Sequence, residues 1–136
     1  MSNDQTHRLV EDLMVKDVAT ISCMATLRDA MEKMRARKVK SLVVEKRHDS
    51  DAWGLVTYSA ILRTIIEEDG DIDLVNVYDI ATRPVLTVPR QLEVRHAVSM
   101  MLRFDIRRLV VSSNNELEGV LTMNDIVSEI LDKLDD

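Results

Sequence analysis

In LRDAMEKM (27–34) the apolar residues fall at Leu27, Ala30, Met31 and Met34, and in VRHAVSMM (94–101) at Val94, Ala97, Val98 and Met101. Both sets follow the i, i+3, i+4, i+7 spacing of a helix that buries one face, so each stretch is predicted to be an amphipathic helix. A short aliphatic run follows each, SLVV (41–44) and RLVV (108–111), and its β-branched content reads as a buried strand. Then comes a polar loop, EKRHDSDAW or SSNNELE, and a glycine that opens a second strand, GLVT (54–57) or GVLT (119–122). A closing helix ends each set, with Ile61, Leu62, Ile65 and Ile66 in the first and Ile126, Val127, Ile130, Leu131 and Leu134 in the second.

The chain is therefore one unit written twice. Ala30 and Ala97, Met34 and Met101, and the two aliphatic runs are each 67 positions apart, whereas Gly54 and Gly119 are 65 apart. The first hairpin loop is two residues longer, a change that loops absorb cheaply. Each copy opens on a short element, VKDVATIS (15–22) and VYDIATRPVLTV (77–88). Setting Asp17 against Asp79 predicts a first opening five residues shorter than the second.

The expected fold class is α/β, two βαββα repeats at 9–66 and 77–134 joined by the acidic connector EEDGDIDLVN (67–76), with 1–8 and the terminal LDD fraying. A single repeat cannot bury its own sheet face, so the two are expected to pack sheet to sheet about a pseudo-twofold axis. Two related clefts would result, with strand ends and helix N-termini converging on each, and a ligand would be sought there.

Composition narrows the function. With 136 residues, 46% of them hydrophobic, the chain can bury one good core, and a formal charge of -6 argues against nucleic acid as a partner. Cys23 is the only cysteine, and His7, His48 and His96 are scattered, so neither an internal disulfide nor a metal-ligand spacing is present. No apolar run approaches the about 18 residues of a membrane span or forms a signal-peptide core, so a cytoplasmic chain without membrane insertion is expected. The eight methionines and Cys23 read as core filling. The loop His48-Asp49-Ser50-Asp51 lacks the oxygen ligands and glycine of a calcium loop and reads as a solvated hairpin. With three glycines, and no nucleophile-base-acid order, the chain is not expected to be an enzyme.

The opening pair VKDVAT and VYDIAT, the helix stripes ending in Met34 and Met101, the SLVV and RLVV strands, and the pair GLVTYSAI and GVLTMNDI occur twice in one order. Together they resemble the tandem CBS domain pair, or Bateman module, over residues 9–134. The chain departs from that pattern in lacking a proline before the paired valines, in its first opening, and at Ala60. The resemblance implies an adenine-containing ligand, most often AMP, ADP or ATP, with S-adenosylmethionine or a dinucleotide as alternatives. It also implies a regulatory role toward a separate, unidentified protein and a disc-like homodimer formed through the helices, with which exposed Met100 and Leu102 would be compatible.

Carried onto this chain, the resemblance gives Asp125 the ribose and makes Thr122 and Asn124 ligand contacts. Lys40 and Arg107, with Arg108 beside it, would reach phosphates, and Arg suits that task because its planar fork bonds two oxygens. The adenine would lie against Val18, Ala19 and Thr20 and against Val39, Lys40 and Ser41. The twin cleft would use Thr57, Ser59 and Arg107 near Thr82, but Ala60 cannot accept a ribose hydroxyl, so it is expected to be empty or weaker.

A second reading stands beside this one. Thr122-Met-Asn-Asp125 has the spacing of a capping box, with an acid in the first helical turn where the dipole favours it. Asp125 could then be only a cap, Lys40 and Arg107 only solvated turn residues, and the chain a protein-interaction or dimerisation module with vestigial clefts.

Overall fold

A computed structural model describes residues 8–134. In chain order the elements are α1 (Val10–Leu13), β1 (Thr20–Ile21), α2 (Leu27–Arg37), β2 (Ser41–Val44), β3 (Gly54–Thr57) and α3 (Tyr58–Leu62). Then follow α4 (Val77–Ile80), β4 (Thr87–Val88), α5 (Val94–Phe104), β5 (Arg108–Ser113), β6 (Glu116–Thr122) and α6 (Met123–Leu134). They form two three-stranded sheets, β1-β2-β3 and β4-β5-β6, each with one parallel and one antiparallel pair. Two compact units result, Val18–Val85, and the described residues up to 17 with those from 86 onward.

In the first unit α2 starts where the stripe predicts. The Thr26 hydroxyl accepts from the Asp29 N–H, and the Asp29 carboxylate accepts from the Thr26 N–H, a reciprocal box that satisfies two otherwise orphaned donors. The helix stops at Lys38, which takes a left-handed conformation (φ 57°). Leu27, Ala30 and Met34 are fully buried with Leu42, Val44, Val56 and Ile61, while Met31 stays at the edge.

The closing helix departs from its expected stripe. After Leu62 the chain widens into a π turn, Arg63–Glu67, and the Thr64 hydroxyl donates to the Ala60 carbonyl at 3.1 Å. The inward face is nevertheless the one the regular helix α6 presents, where Ile126 is buried and Ile130 partly so while Val127 and Leu131 are exposed. Ile61 is buried and Ile65 partly so, whereas Leu62 and Ile66 are exposed.

The second unit repeats the plan with Val94, Ala97 and Met101 buried against Leu109, Val111 and Leu121. Its loop SSNNELE is mostly strand rather than loop. β5 and β6 extend to Ser113 and Glu116, and the reversal is confined to Asn114 and Asn115 at φ 52° and 62°. Two successive positive φ values suit a two-residue hairpin turn, and Asn tolerates them better than other side chains. A register shift between Val111 and Ser112 absorbs the mismatch along the ladder.

The openings correct the expected alignment. The short helices are Val10–Leu13 and Val77–Ile80, separated by 67, and the strands Thr20–Ile21 and Thr87–Val88 keep the same separation. Asp12 accepts from the Leu9 N–H at 2.9 Å, and Asp79 accepts from the Asn76 N–H at 3.2 Å. No five residues are missing from the first copy, because VEDL and not VKDV is the partner of VYDI. Each unit is completed by the opening helix of the other repeat: Val10 lies in the core of the second unit and Val77 in that of the first.

Candidate functional site

Strand β6 runs directly into helix α6, and the junction is fastened twice. The Thr122 N–H donates to Asp125 Oδ2 at 3.1 Å, and the Asp125 N–H donates to Thr122 Oγ1 at 3.0 Å. The Met123 N–H donates to the Arg107 carbonyl at 2.9 Å, and Arg108 is the ladder partner of Thr122. Five of the eleven residues expected to bind ligand in the Asp125 cleft, Arg107, Arg108, Thr122, Asn124 and Asp125, are thus neighbours at one helix start. Arg107 and Asn124 are exposed, and the other three are half-buried. Among the described residues Asp125 Oδ1 has no hydrogen-bond partner, so the cap uses one carboxylate oxygen. Asp125 lies in the first turn of a 12-residue helix, at the positive end of the helix dipole, with the backbone of Arg107 and Arg108 adjoining.

The equivalent start in the first unit is built differently. The Ala60 N–H donates to Thr57 Oγ1 at 3.3 Å, and that hydroxyl also meets Ser59 Oγ at 3.1 Å. The Tyr58 N–H donates to the Lys40 carbonyl at 3.0 Å, and Ser41 pairs with Thr57, matching the Arg107 and Arg108 contacts. No carboxylate is present, and α3 holds only five residues before its π turn.

The other six expected residues lie in this first unit, Val18 half-buried at its start. Ala19 is buried and its carbonyl accepts from the Val43 N–H at 3.0 Å, while the Thr20 hydroxyl donates to Glu45 at 3.0 Å. Val39, Lys40 and Ser41 form the passage from α2 into β2, with Lys40 exposed.

The loop at 48–51 is not simply solvated. Asp51 Oδ2 accepts from Arg83 Nη2 at 2.7 Å, from the Arg47 N–H at 3.0 Å and from Arg47 Nε at 3.3 Å. The Arg47 N–H first, and then the Arg83 guanidinium, hold the Asp51 carboxyl well below the usual carboxylate range. The Tyr78 ring lies beneath both guanidinium groups, 4.8 Å from Arg47 and 4.7 Å from Arg83. The Arg47 to Asp51 spacing is visible in the sequence. Arg83, 32 residues further on, carries no local signal.

A pocket of about 520 Å³ opens on the first unit, lined by Arg28, Met31, Arg35, Tyr58, Ile61 and Leu62 among others. Arg28 is held by both Asp73 oxygens, at 2.5 and 3.0 Å. Cys23 is buried, and among the described residues no group of three or more His, Cys, Asp and Glu could hold a metal ion. No described helix is long and apolar enough to cross a membrane. Of the residues named for a helix-mediated dimer, Leu102 is exposed, but Met100 packs against the second core.

Residues 10–67 and 77–132 each match the CBS domain. An uncharacterized protein of Methanopyrus kandleri is 34% identical over 113 residues, covering 82% of this chain and 57% of that protein. The chain spans about half the length of the curated relatives it matches. Among solved structures, a hexameric CBS-CP12 protein from bloom-forming cyanobacteria superposes with a TM-score of 0.84 at 30% identity, over 90% of this chain and 71% of that one. The CBS domain of a bacterial CNNM/CorC family Mg2+ transporter in complex with ATP superposes at 0.80 and 20% identity, over 94% and 90%. That last likeness concerns the fold.

Proposed function

The chain belongs to the CBS-domain family as a tandem pair, and from that premise we propose that it binds an adenine nucleotide at the α6 start and signals its occupancy to another protein. The observation carrying this reading is the division of labour at Asp125. Oδ2 closes the cap, and Oδ1 is left to accept hydrogen bonds from vicinal ribose hydroxyls, a charge-assisted arrangement stronger than a neutral one. Arg107 and Arg108, with the free N–H groups of the helix start, take the phosphates. The ATP complex of the transporter's CBS domain supports the ligand class. Lys40, Val39, Ser41, Ala19 and Thr20 are proposed as the first repeat's contribution on the adenine side. A ligand biases a protein only between states it binds unequally, so signalling requires a second arrangement of lower affinity.

Thermal melts with AMP, ADP, ATP, S-adenosylmethionine and NAD test the proposal. Ligand at a hundred times its Kd adds about 2.7 kcal/mol to the folded state by mass action. A clear rise in Tm with the adenine nucleotides is expected, and no rise with any of the five contradicts ligand binding.

A homodimer is proposed as well, favoured by exposed apolar residues on the closing helices of both units. These are Leu62 and Ile66 in the first and Val127 and Leu131 in the second, with Leu102 on α5. Sedimentation of wild-type protein and of Leu102→Glu checks it. A dimer that the substitution dissociates is expected, and a wild-type monomer at all concentrations argues against it.

A further inference from the structure

We propose that the Asp51–Arg83 pair is a clasp that straps residues 82–85 to the edge of β3, and that the strap opens locally while the first unit stays folded. Residues 82–85 are the last of the first unit before the chain passes on at Leu86. None of them belongs to the buried core. Their backbone is tied by a reciprocal pair, Leu55 N–H to Thr82 O at 3.1 Å and Thr82 N–H to Leu55 O at 2.9 Å, and by a long contact from Val85 N–H to Trp53 O at 3.4 Å. A segment with few buried apolar contacts and a short hydrogen-bonded edge is the kind that opens first.

Side chains supply the remaining hold. Arg83 lies flat across Gly54, whose missing Cβ would come within 2.7 Å of Arg83 Cγ, and its Nη2 reaches Asp51. Both partners are nearly buried, at 13% and 12% side-chain exposure. Arg83 Nη1 is buried with no hydrogen-bond partner, so Asp51 is the counter-charge on which that guanidinium depends. Removing one member of such a pair leaves the other charge buried and uncompensated. Arg47 and Tyr78 close the clasp from the loop and from α4.

The second unit provides an internal control. Val15 and Val120 exchange the same two backbone bonds, at 2.9 and 3.0 Å, beside Gly119. There Met14 Sδ, not a charged side chain, lies over the glycine, at 2.7 Å from its missing Cβ. Lys16, 67 before Arg83, is exposed, and the residue 65 beyond Asp51, Glu116, is an exposed acid at the start of β6 beside the Asn114-Asn115 turn, rather than a nearly buried one. The two edges share backbone bonding and differ in the clasp.

Native-state amide exchange on the full chain tests this. In Asp51→Asn and in Arg83→Met, which keeps an apolar stem over Gly54, exchange at the Leu55 and Thr82 amides is expected to rise about tenfold or more. Val15 and Val120 should exchange at wild-type rates. Arg47→Gln, at an exposed position, should leave the chain folded and give a smaller rise at the same two amides. Unchanged exchange at Leu55 and Thr82 would overturn the proposal, as would an equal rise at all four amides.

Discussion

Thr57–Ala60 and Thr122–Asp125 occupy equivalent strand-to-helix junctions with the same backbone bond to the preceding strand, yet only the second carries a reciprocal box. The helices that follow differ accordingly: one runs twelve residues, and the other changes to a π turn after five. A duplicated element can thus keep its topology while one copy loses the carboxylate that both fixes the helix start and offers a charged acceptor. On the function proposed above, the first copy serves structure alone and the second serves structure and ligand together.

The buried halves of the two units should respond alike, and this sets the scale for every difference. Leu42 and Leu109 are twin strand positions, each fully buried, so truncation to Ala should cost about 2–5 kcal/mol at both. Chemical denaturation measures this, and a large inequality would mean that the cores are not equivalent. Next come the glycines. At Gly119 a Cβ would lie 2.8 Å from the Val15 carbonyl oxygen, backbone that cannot yield locally, whereas at Gly54 the 2.7 Å contact is the Arg83 Cγ and the nearest backbone atom, the Thr82 carbonyl oxygen, is 3.2 Å away. Gly119→Ala should therefore destabilise by about 1–3 kcal/mol and exceed Gly54→Ala.

Smaller effects concern charge. Asp125→Ala should lose about 1 kcal/mol as a cap, and the reverse graft, Ala60→Asp, should recover about 0.3–1 kcal/mol if acid and helix dipole suffice. No gain would assign the shortness of α3 to its π turn. Smallest is the acid response of the clasp. The Asp51 carboxyl is held down in the folded state, so its contribution is complete above the unfolded-state value near 4 and disappears as pH falls through the folded value. The gap in Tm between wild type and Asp51→Asn should be constant above about pH 5 and narrow at about pH 3 and below.

The periodic parts of this fold were legible. Leu27, Ala30 and Met34, and their twins 67 on, form buried helix faces because a 3.6-residue repeat leaves little choice. Likewise Thr122 and Asp125 have a spacing with a local mechanism, and they meet as a box. At the opening VKDVAT resembles VYDIAT letter by letter, yet the two are not structural partners. The physical signal was instead an acid three residues beyond the cap, Asp12 after Leu9 and Asp79 after Asn76. Asn114-Asn115 carried a turn signal that a polar-loop reading passed over. The π turn at Arg63 and the arrival of Arg83 at Asp51 depend on packing and on separations that no local pattern encodes.

Calorimetric titration of AMP and ATP into wild type, Asp125→Asn and Ala60→Asp tests the central claim most directly. Asn keeps a carbonyl for the Thr122 N–H and removes the charge. The account predicts that Asp125→Asn weakens binding about tenfold or more with little change in Tm, while Ala60→Asp leaves wild-type affinity intact. Wild-type affinity in Asp125→Asn would contradict it and leave Asp125 as a helix cap alone.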